Sequence, residues 1–237
     1  MANDSFDGLY RPEFEHDACG IGFLANLKGR KSHEIVENAI RMLTRMDHRG
    51  ACGCESNTGD GAGILIQVPH EFFLDECTKL GFSLPPYGEY GVGMVYFPKD
   101  ENLREECRDI LNRKIKQLKL ELIGYRVVPT RNLDLGETAL SKEPVMEQVF
   151  IGRPAHIPTG EAFERKLFVL RNYSTRIINE SVQGVQGDFY FASLSYKTII
   201  YKGQLTTGQL EPYFPDLRNE AVVSALAVIH SRFSTNT

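Results

Sequence analysis

Apolar and polar positions change their spacing several times along the chain, and each change marks an element. Ala18-Cys19-Gly20-Ile21-Gly22-Phe23-Leu24-Ala25 is a short apolar run bounded by polar sequence, which predicts a buried strand with the cysteine at its start. Ser32, as an N-cap with Glu34 in the first turn, predicts a helix that places Ile35, Val36, Ala39, Ile40, Leu43 and Met46 on one face. Helical spacing returns from about residue 102 to 121, with Leu103, Cys107, Ile110, Leu111, Ile115 and Leu118, and from about 161 to 181, with Phe163, Leu167, Leu170 and Ile177. Runs rich in β-branched and aromatic residues predict strands at Ile64–Val68, Val92–Phe97, Tyr125–Pro129, Phe189–Leu194 and Thr198–Lys202, the last two as a hairpin. From residue 219 onward the pattern reads two ways: a helix over Asn219–Ala227, or a strand emerging at Val228-Ile229-His230.

The hairpin and the separated strand blocks do not suit a doubly wound sheet, which crosses over after every strand. A layered α+β fold with largely antiparallel sheets fits better. Periodicity alone goes no further, because many activities share such architectures. No internal repeat or flexible linker divides the 237 residues, so one compact unit is expected.

Composition narrows the function classes. A net charge of -4 gives no sequence-wide basic surface for nucleic acid, which makes small metabolites the better partners. No apolar run approaches the roughly 20 residues of a membrane span, and the first twenty positions do not read as a secretory signal, so a cytoplasmic protein without membrane contact is expected. The five cysteines, at 19, 52, 54, 77 and 107, form no even framework and are expected to be free thiols. Cys52 and Cys54 have only His48 and His70 nearby, too few ligands for a tetrahedral zinc site, and no metal is expected.

Cys19 is followed by Gly-Ile-Gly, a backbone bare enough for close approach of a substrate. If the Ala18–Cys19 bond is cut, the residue gains a free α-amine with an ordinary pKa of about 7.7–8.0, near that of its own thiol at about 8.5. One residue then carries both nucleophile and base. A lone cysteine in such a run is ordinarily a small core residue; the sequence elsewhere changes that reading. Asp47-His48-Arg49-Gly50 follows the first helix, Thr58-Gly59-Asp60-Gly61-Ala62-Gly63 leads into a strand, and His230-Ser231-Arg232-Phe233-Ser234-Thr235 stands near the end. Gly59–Gly63 lacks the Gly-Lys-Ser/Thr ending of a phosphate loop and precedes a strand, so it reads as a turn near a pocket.

Together these segments resemble the class II glutamine amidotransferases. Phe14-Glu15-His16-Asp17-Ala18-Cys19-Gly20-Ile21-Gly22, Met46 to Gly50 and His230 to Thr237 are similar in particular to the amidotransferase domain that opens the large subunit of glutamate synthases. The resemblance implies an N-terminal nucleophile hydrolase fold, a four-layer αββα sandwich that is incomplete in this chain, with residues 1–18 as a leader and 19–237 as a partial amidotransferase domain. It implies that the Cys19 thiolate attacks the side-chain amide of glutamine, that ammonia leaves, and that water hydrolyses the thioester. Arg232 matches the clamp for the α-carboxylate, with Phe233 and Thr235 beside it, since a guanidinium holds a carboxylate by two parallel hydrogen bonds. Arg49 matches a cation that supports the thiolate; from spacing alone, a helix-terminal arginine facing the dipole fits as well. His48 and His230 read as hydrogen-bonded structural residues more readily than as proton carriers.

The family's Asn-Gly oxyanion pair and the acid that binds the substrate amine do not occur before Thr237. The chain by itself is therefore expected to show little or no glutaminase activity, and its leader to stay attached. The resemblance places FMN, an iron–sulfur cluster and the conversion of 2-oxoglutarate to glutamate in the remainder of the large subunit, with a small electron-transfer subunit as a further partner and no cofactor in this chain. Part of the stretch from about 70 to 188 is expected to be peripheral and to face that remainder. Two other functions fit the residues: a stand-alone hydrolase of another amide, and a non-catalytic assembly module indifferent to Cys19.

Overall fold

A computed structural model describes residues 20–47, 55, 57–185 and 187–232. The expectations for residues 1–18, Cys19, His48, Arg49, Cys52, Cys54, Phe233 and Thr235 fall outside the described residues. In chain order the elements are β1 (Gly20–Ala25), α1 (His33–Arg45), β2 (Ala62–Gln67), α2 (His70–Lys79), β3 (Tyr90–Phe97), α3 (Glu101–Gln117), β4 (Glu121–Val127), α4 (Glu137–Lys142), β5 (Val145–Gly152), α5 (Glu161–Ser181), β6 (Tyr190–Ser195), β7 (Thr198–Gly203), α6 (Leu210–Tyr213), a 3-10 turn at Pro215–Arg218 and β8 (Leu226–Ser231). They form two antiparallel sheets, sheet I in the order β1-β8-β2-β7 and sheet II in the order β4-β5-β3-β6. The α+β class expected from the pattern holds.

Sheet II and its helices form a split β-α-β unit, β3-α3-β4-β5-α5-β6. One face carries Val95, Phe97, Val149, Ile151 and Phe191, which pack against Cys107, Ile110 and Leu111 of α3 and Phe163, Leu167 and Leu170 of α5. Helix α3 begins where the Asp100 side chain accepts the Leu103 N–H at 3.0 Å, satisfying one of its free donors. It ends at Gln117 rather than near 121, because Lys119 takes a left-handed φ of 56° and Glu121 already starts β4. The other face of sheet II turns Met94, Tyr96 and Phe150 into a second core, shared with α1, α2 and sheet I.

Sheet I is packed on one face. Ile64, Ile66, Ile199, Tyr201, Ala227 and Ile229 are buried there, and a Cβ at Gly22 would press on Met42 of α1 and on Ile229, which places α1 on that side. On the opposite face Ile21 and Phe23 are 72% and 75% exposed, and the row Phe23–Val228–Leu65–Ile200 crosses all four strands. Of the expected αββα order, the described residues place no layer over this face.

Ser32 holds its expected N-cap position, the expected hairpin does not form, and the open reading after residue 219 resolves as a strand. Ser32 stands at the α1 cap in extended conformation but makes no side-chain cap bond; its N–H and C=O pair with Ser224 instead. Strands β6 and β7 do not form a hydrogen-bonded hairpin ladder: β6 pairs with β3 and β7 with β2. The Ser195 hydroxyl takes the N–H groups of Lys197 and Thr198, and the Ser193 hydroxyl that of Ile200, so the chain turns from one sheet into the other. Residues 219–227 are not helical, since Ser224 bridges to Ser32 and Gln67 fixes both Ser224 and Ala225.

A buried polar cluster joins the sheets. Arg126 of β4 grips Asp216 of the 3-10 turn with two hydrogen bonds of 2.8 Å, donates to Gln148 of β5 at 2.9 Å and reaches Glu76 of α2 at 2.7 Å. Tyr201 of β7 closes the circuit, donating to Asp216 and accepting from Gln148, each at 3.0 Å. Arg126→Met leaves the buried Asp216 carboxylate uncompensated and is expected to cost about 3–5 kcal/mol in urea unfolding. Phe23→Ser, on the open face, is expected to stay within about 0.5 kcal/mol of the wild type, and the reverse ranking would contradict this packing.

Candidate active site

The strand ends of sheet I align in a row of small residues, Gly20–Ser231–Ala62–Gly203. Gly20 is bonded to Cys19 and Ser231 to Arg232, so the two sequence motifs meet through paired neighbours. Ser231 is buried, and its hydroxyl has no hydrogen-bond partner among the described residues.

Arg232 leaves the strand with φ at 76°, a left-handed conformation that costs a non-glycine residue about 1–3 kcal/mol. Its N–H is held by the Gly61 carbonyl at 2.6 Å. Its Nε lies 3.4 Å from an Asp60 carboxylate oxygen, an ion pair that directs the guanidinium along the end of the sheet. Asp60 lies within the glycine-rich turn that the sequence places near a pocket, and the pairing of its carboxylate with Arg232 has no sequence signal. That turn can form because a Cβ at Gly59 would fall 2.2 Å from the Leu205 carbonyl oxygen, too close for any other residue.

Arg232 and Asp60 line a cleft of about 680 Å³. It runs from the end of sheet I toward Tyr96 and Tyr190 of sheet II and on to Lys99 and Tyr213. Gly20 does not line it. The Tyr96 hydroxyl donates to the Lys202 carbonyl and ties the cleft wall to β7.

The Asp47-to-Gly50 motif starts from the same end. Asp47 accepts from the Thr207 hydroxyl at 2.7 Å, four residues beyond Gly203. On the far side of residues 48–54, Glu55 accepts from the hydroxyls of Thr58 and Thr138 and from the Thr138 N–H. These bonds, that from Thr58 first, hold its carboxyl below the ordinary range. Asn57 accepts from Gly136 and Gln209, each at 3.0 Å. Asp47, Glu55 and Asn57 are thus each held by partners remote in the chain, a feature without any sequence signal.

Among the described residues, no three His, Cys, Asp or Glu side chains gather as a metal centre, and no helix is long and apolar enough to cross a membrane.

The sheet end is thus a row of small residues with an arginine in the adjoining cleft, one residue beyond the partner of Gly20. The family described as glutamine amidotransferases class-II matches residues 19–237, and the chain belongs to it. Glutamine hydrolysis that supplies ammonia is the function of that family. The chain is similar to the glutamate synthase [NADPH] large chain of Bacillus subtilis, at 47% identity over 97% of this chain and 15% of that protein. It is also similar to the glutamate synthase [NADH] of Schizosaccharomyces pombe, at 41% identity over 97% of this chain and 11% of that one. For the chloroplastic ferredoxin-dependent glutamate synthase 2 of Arabidopsis thaliana the identity is 36%, over 94% of this chain and 14% of the relative. The chain thus spans less than a sixth of the length of these relatives, and it matches the N-terminal domain of much longer proteins.

Two of the thiols are described, and both are buried. Burial pushes Cys77 up to about 12 and Cys107 up to about 11, so neither carries thiolate near neutrality. Alkylation at pH 8 followed by peptide mass mapping is expected to leave both untouched until urea unfolds the chain. Rapid labelling of either in the native protein would contradict the packing.

Proposed function

We propose that this domain hydrolyses the side-chain amide of glutamine with Cys19 as an N-terminal nucleophile, after removal of residues 1–18. The observation that carries the reading is the register of β1 on β8: Gly20, which follows Cys19 in the chain, pairs with Ser231, which precedes Arg232. The family match, which starts at Cys19, supports it independently.

The chemistry follows from the groups at that end. The Cys19 thiol gives its proton to its own α-amine, and the thiolate adds to the amide carbon. The C–N bond breaks, ammonia leaves with the returned proton, and water then cleaves the thioester to glutamate. Arg232 holds the substrate α-carboxylate, with Phe233 and Thr235 closing that side, while Asp60 keeps the guanidinium aimed. Arg49, which matches the family's arginine near the nucleophile, favours the thiolate.

The ammonia serves glutamate formation from 2-oxoglutarate in the remainder of a longer glutamate synthase chain. FMN and iron–sulfur chemistry belong to that remainder, with a small subunit as a further electron-transfer partner. The names of the relatives carry three electron donors, NADPH, NADH and ferredoxin, which supports donor choice outside this domain. The split β-α-β unit provides the surface toward the remainder.

In the full-length protein, intact mass is expected to show a chain starting at Cys19. Arg232→Lys replaces a two-pronged donor with a point charge and is expected to raise KM for glutamine about tenfold or more. Glutamine-dependent ammonia release that survives Cys19→Ala would refute the assignment.

A further inference from the structure

We infer that His230 is a positioning residue: its imidazole, seated over Gly63 on the open face of sheet I, holds the backbone of Arg232 and so aims the guanidinium, and it carries no proton in the reaction. The inference rests on the reading of Arg232 as the carboxylate clamp and assigns to His230 the task of holding it.

The row Ile21–His230–Gly63–Lys202 crosses the open face next to the strand ends. His230 is half-buried there, although its neighbours along the sheet toward β1 are exposed. The reason is Gly63. An added Cβ at that position would lie 2.3 Å from His230 Nε2 and 3.1 Å from its Cδ2, so the ring occupies the space a side chain would fill. Gly63 thus serves as a seat for this ring rather than as a turn residue.

From that seat the imidazole hydrogen-bonds to the Arg232 backbone, in the sense that favours a protonated ring, as a carbonyl acceptor does. Arg232 is the residue whose left-handed φ of 76° needs external support. Its N–H is fixed by Gly61, its side chain by Asp60 and its backbone by His230, so three contacts from three places converge on one strained residue. Among the described residues, the charge that acts on the ring is that of Lys202 on β7, and the β1 residue beside it in the row is Ile21. Burial first, and then the Lys202 charge, push the imidazole below its ordinary value against the pull of the backbone bond. A ring seated on the β2 backbone and bonded to the backbone of Arg232 is suited to hold geometry.

Two legs test this. In the chain itself, NMR titration of isotope-labelled His230 is expected to give a midpoint below the ordinary histidine value of about 6.5. Gly63→Ala is expected to expel the ring and raise that midpoint, and His230→Ala to shift the Arg232 carbonyl signal. In the full-length protein, His230→Ala is expected to raise KM for glutamine about tenfold or more, with kcat and the pH profile little changed. His230→Gln, which retains an N–H donor, is expected to restore most of the lost affinity. A kcat loss of about a hundredfold or more at unchanged KM, with one limb of the pH profile gone and no rescue by His230→Gln, would make His230 a proton carrier and overturn the inference. A His230 midpoint at or above the ordinary value, with an unshifted Arg232 carbonyl, would overturn it as well. If the wild-type protein releases no ammonia from glutamine, the functional reading fails, and the NMR leg still decides whether His230 holds Arg232.

Discussion

Strand β8 is hydrogen-bonded on both sides, to β1 and to β2, and its register fixes the geometry of the candidate site. Ser231 faces Gly20 on one flank and Ala62 on the other, which brings three distant parts of the chain to one sheet end. Side chains alternate along a strand, so a slip of one residue would move Ile229 from the core to the open face and carry Arg232 away from Asp60. The register is pinned by packing: Ala227 and Ile229 are fully buried, while Val228 between them is not. The hydrophobic pattern that specifies the fold therefore also specifies where the motifs converge.

A second constraint acts between the sheets. Arg126, Asp216, Gln148 and Tyr201 are all buried, and each satisfies another, so the split β-α-β unit is joined to sheet I by directed bonds as well as by apolar contact. The cleft lies between the same two bodies, with Tyr96 of β3 on one side and Gly203 of β7 on the other. Its shape depends on that joint holding. Polar networks of this kind contribute little to net stability when complete and cost a great deal when one member is lost, which makes them a device for fixing relative position.

The motifs were legible in the sequence because their meaning is local: a cysteine before Gly-Ile-Gly, a glycine-rich turn, an arginine after a strand. Helix α5 was legible in extent and in its first buried positions, Phe163, Leu167 and Leu170, while Ser174 continues the buried face and Ile178 rather than Ile177 ends it. Strand β5 was not. Glu147 and Gln148 break its apolar run, yet both are buried, paired with Arg108 of α3 and Arg126 of β4, partners that no single-sequence pattern connects. Asp60 was legible as part of a turn and not as a partner of Arg232, since the two are brought together only by the pairing of β2 with β8. The left-handed backbone at Arg232 left no trace in the sequence, where no glycine marks the position.

The most direct test is a crystal structure of the processed protein after reaction with an electrophilic glutamine analogue. The account predicts a covalent bond from the Cys19 sulfur to the analogue and its α-carboxylate on the Arg232 guanidinium at about 2.7–2.9 Å. An adduct on Cys19 whose carboxylate points away from Arg232, or an adduct on another cysteine, would contradict it.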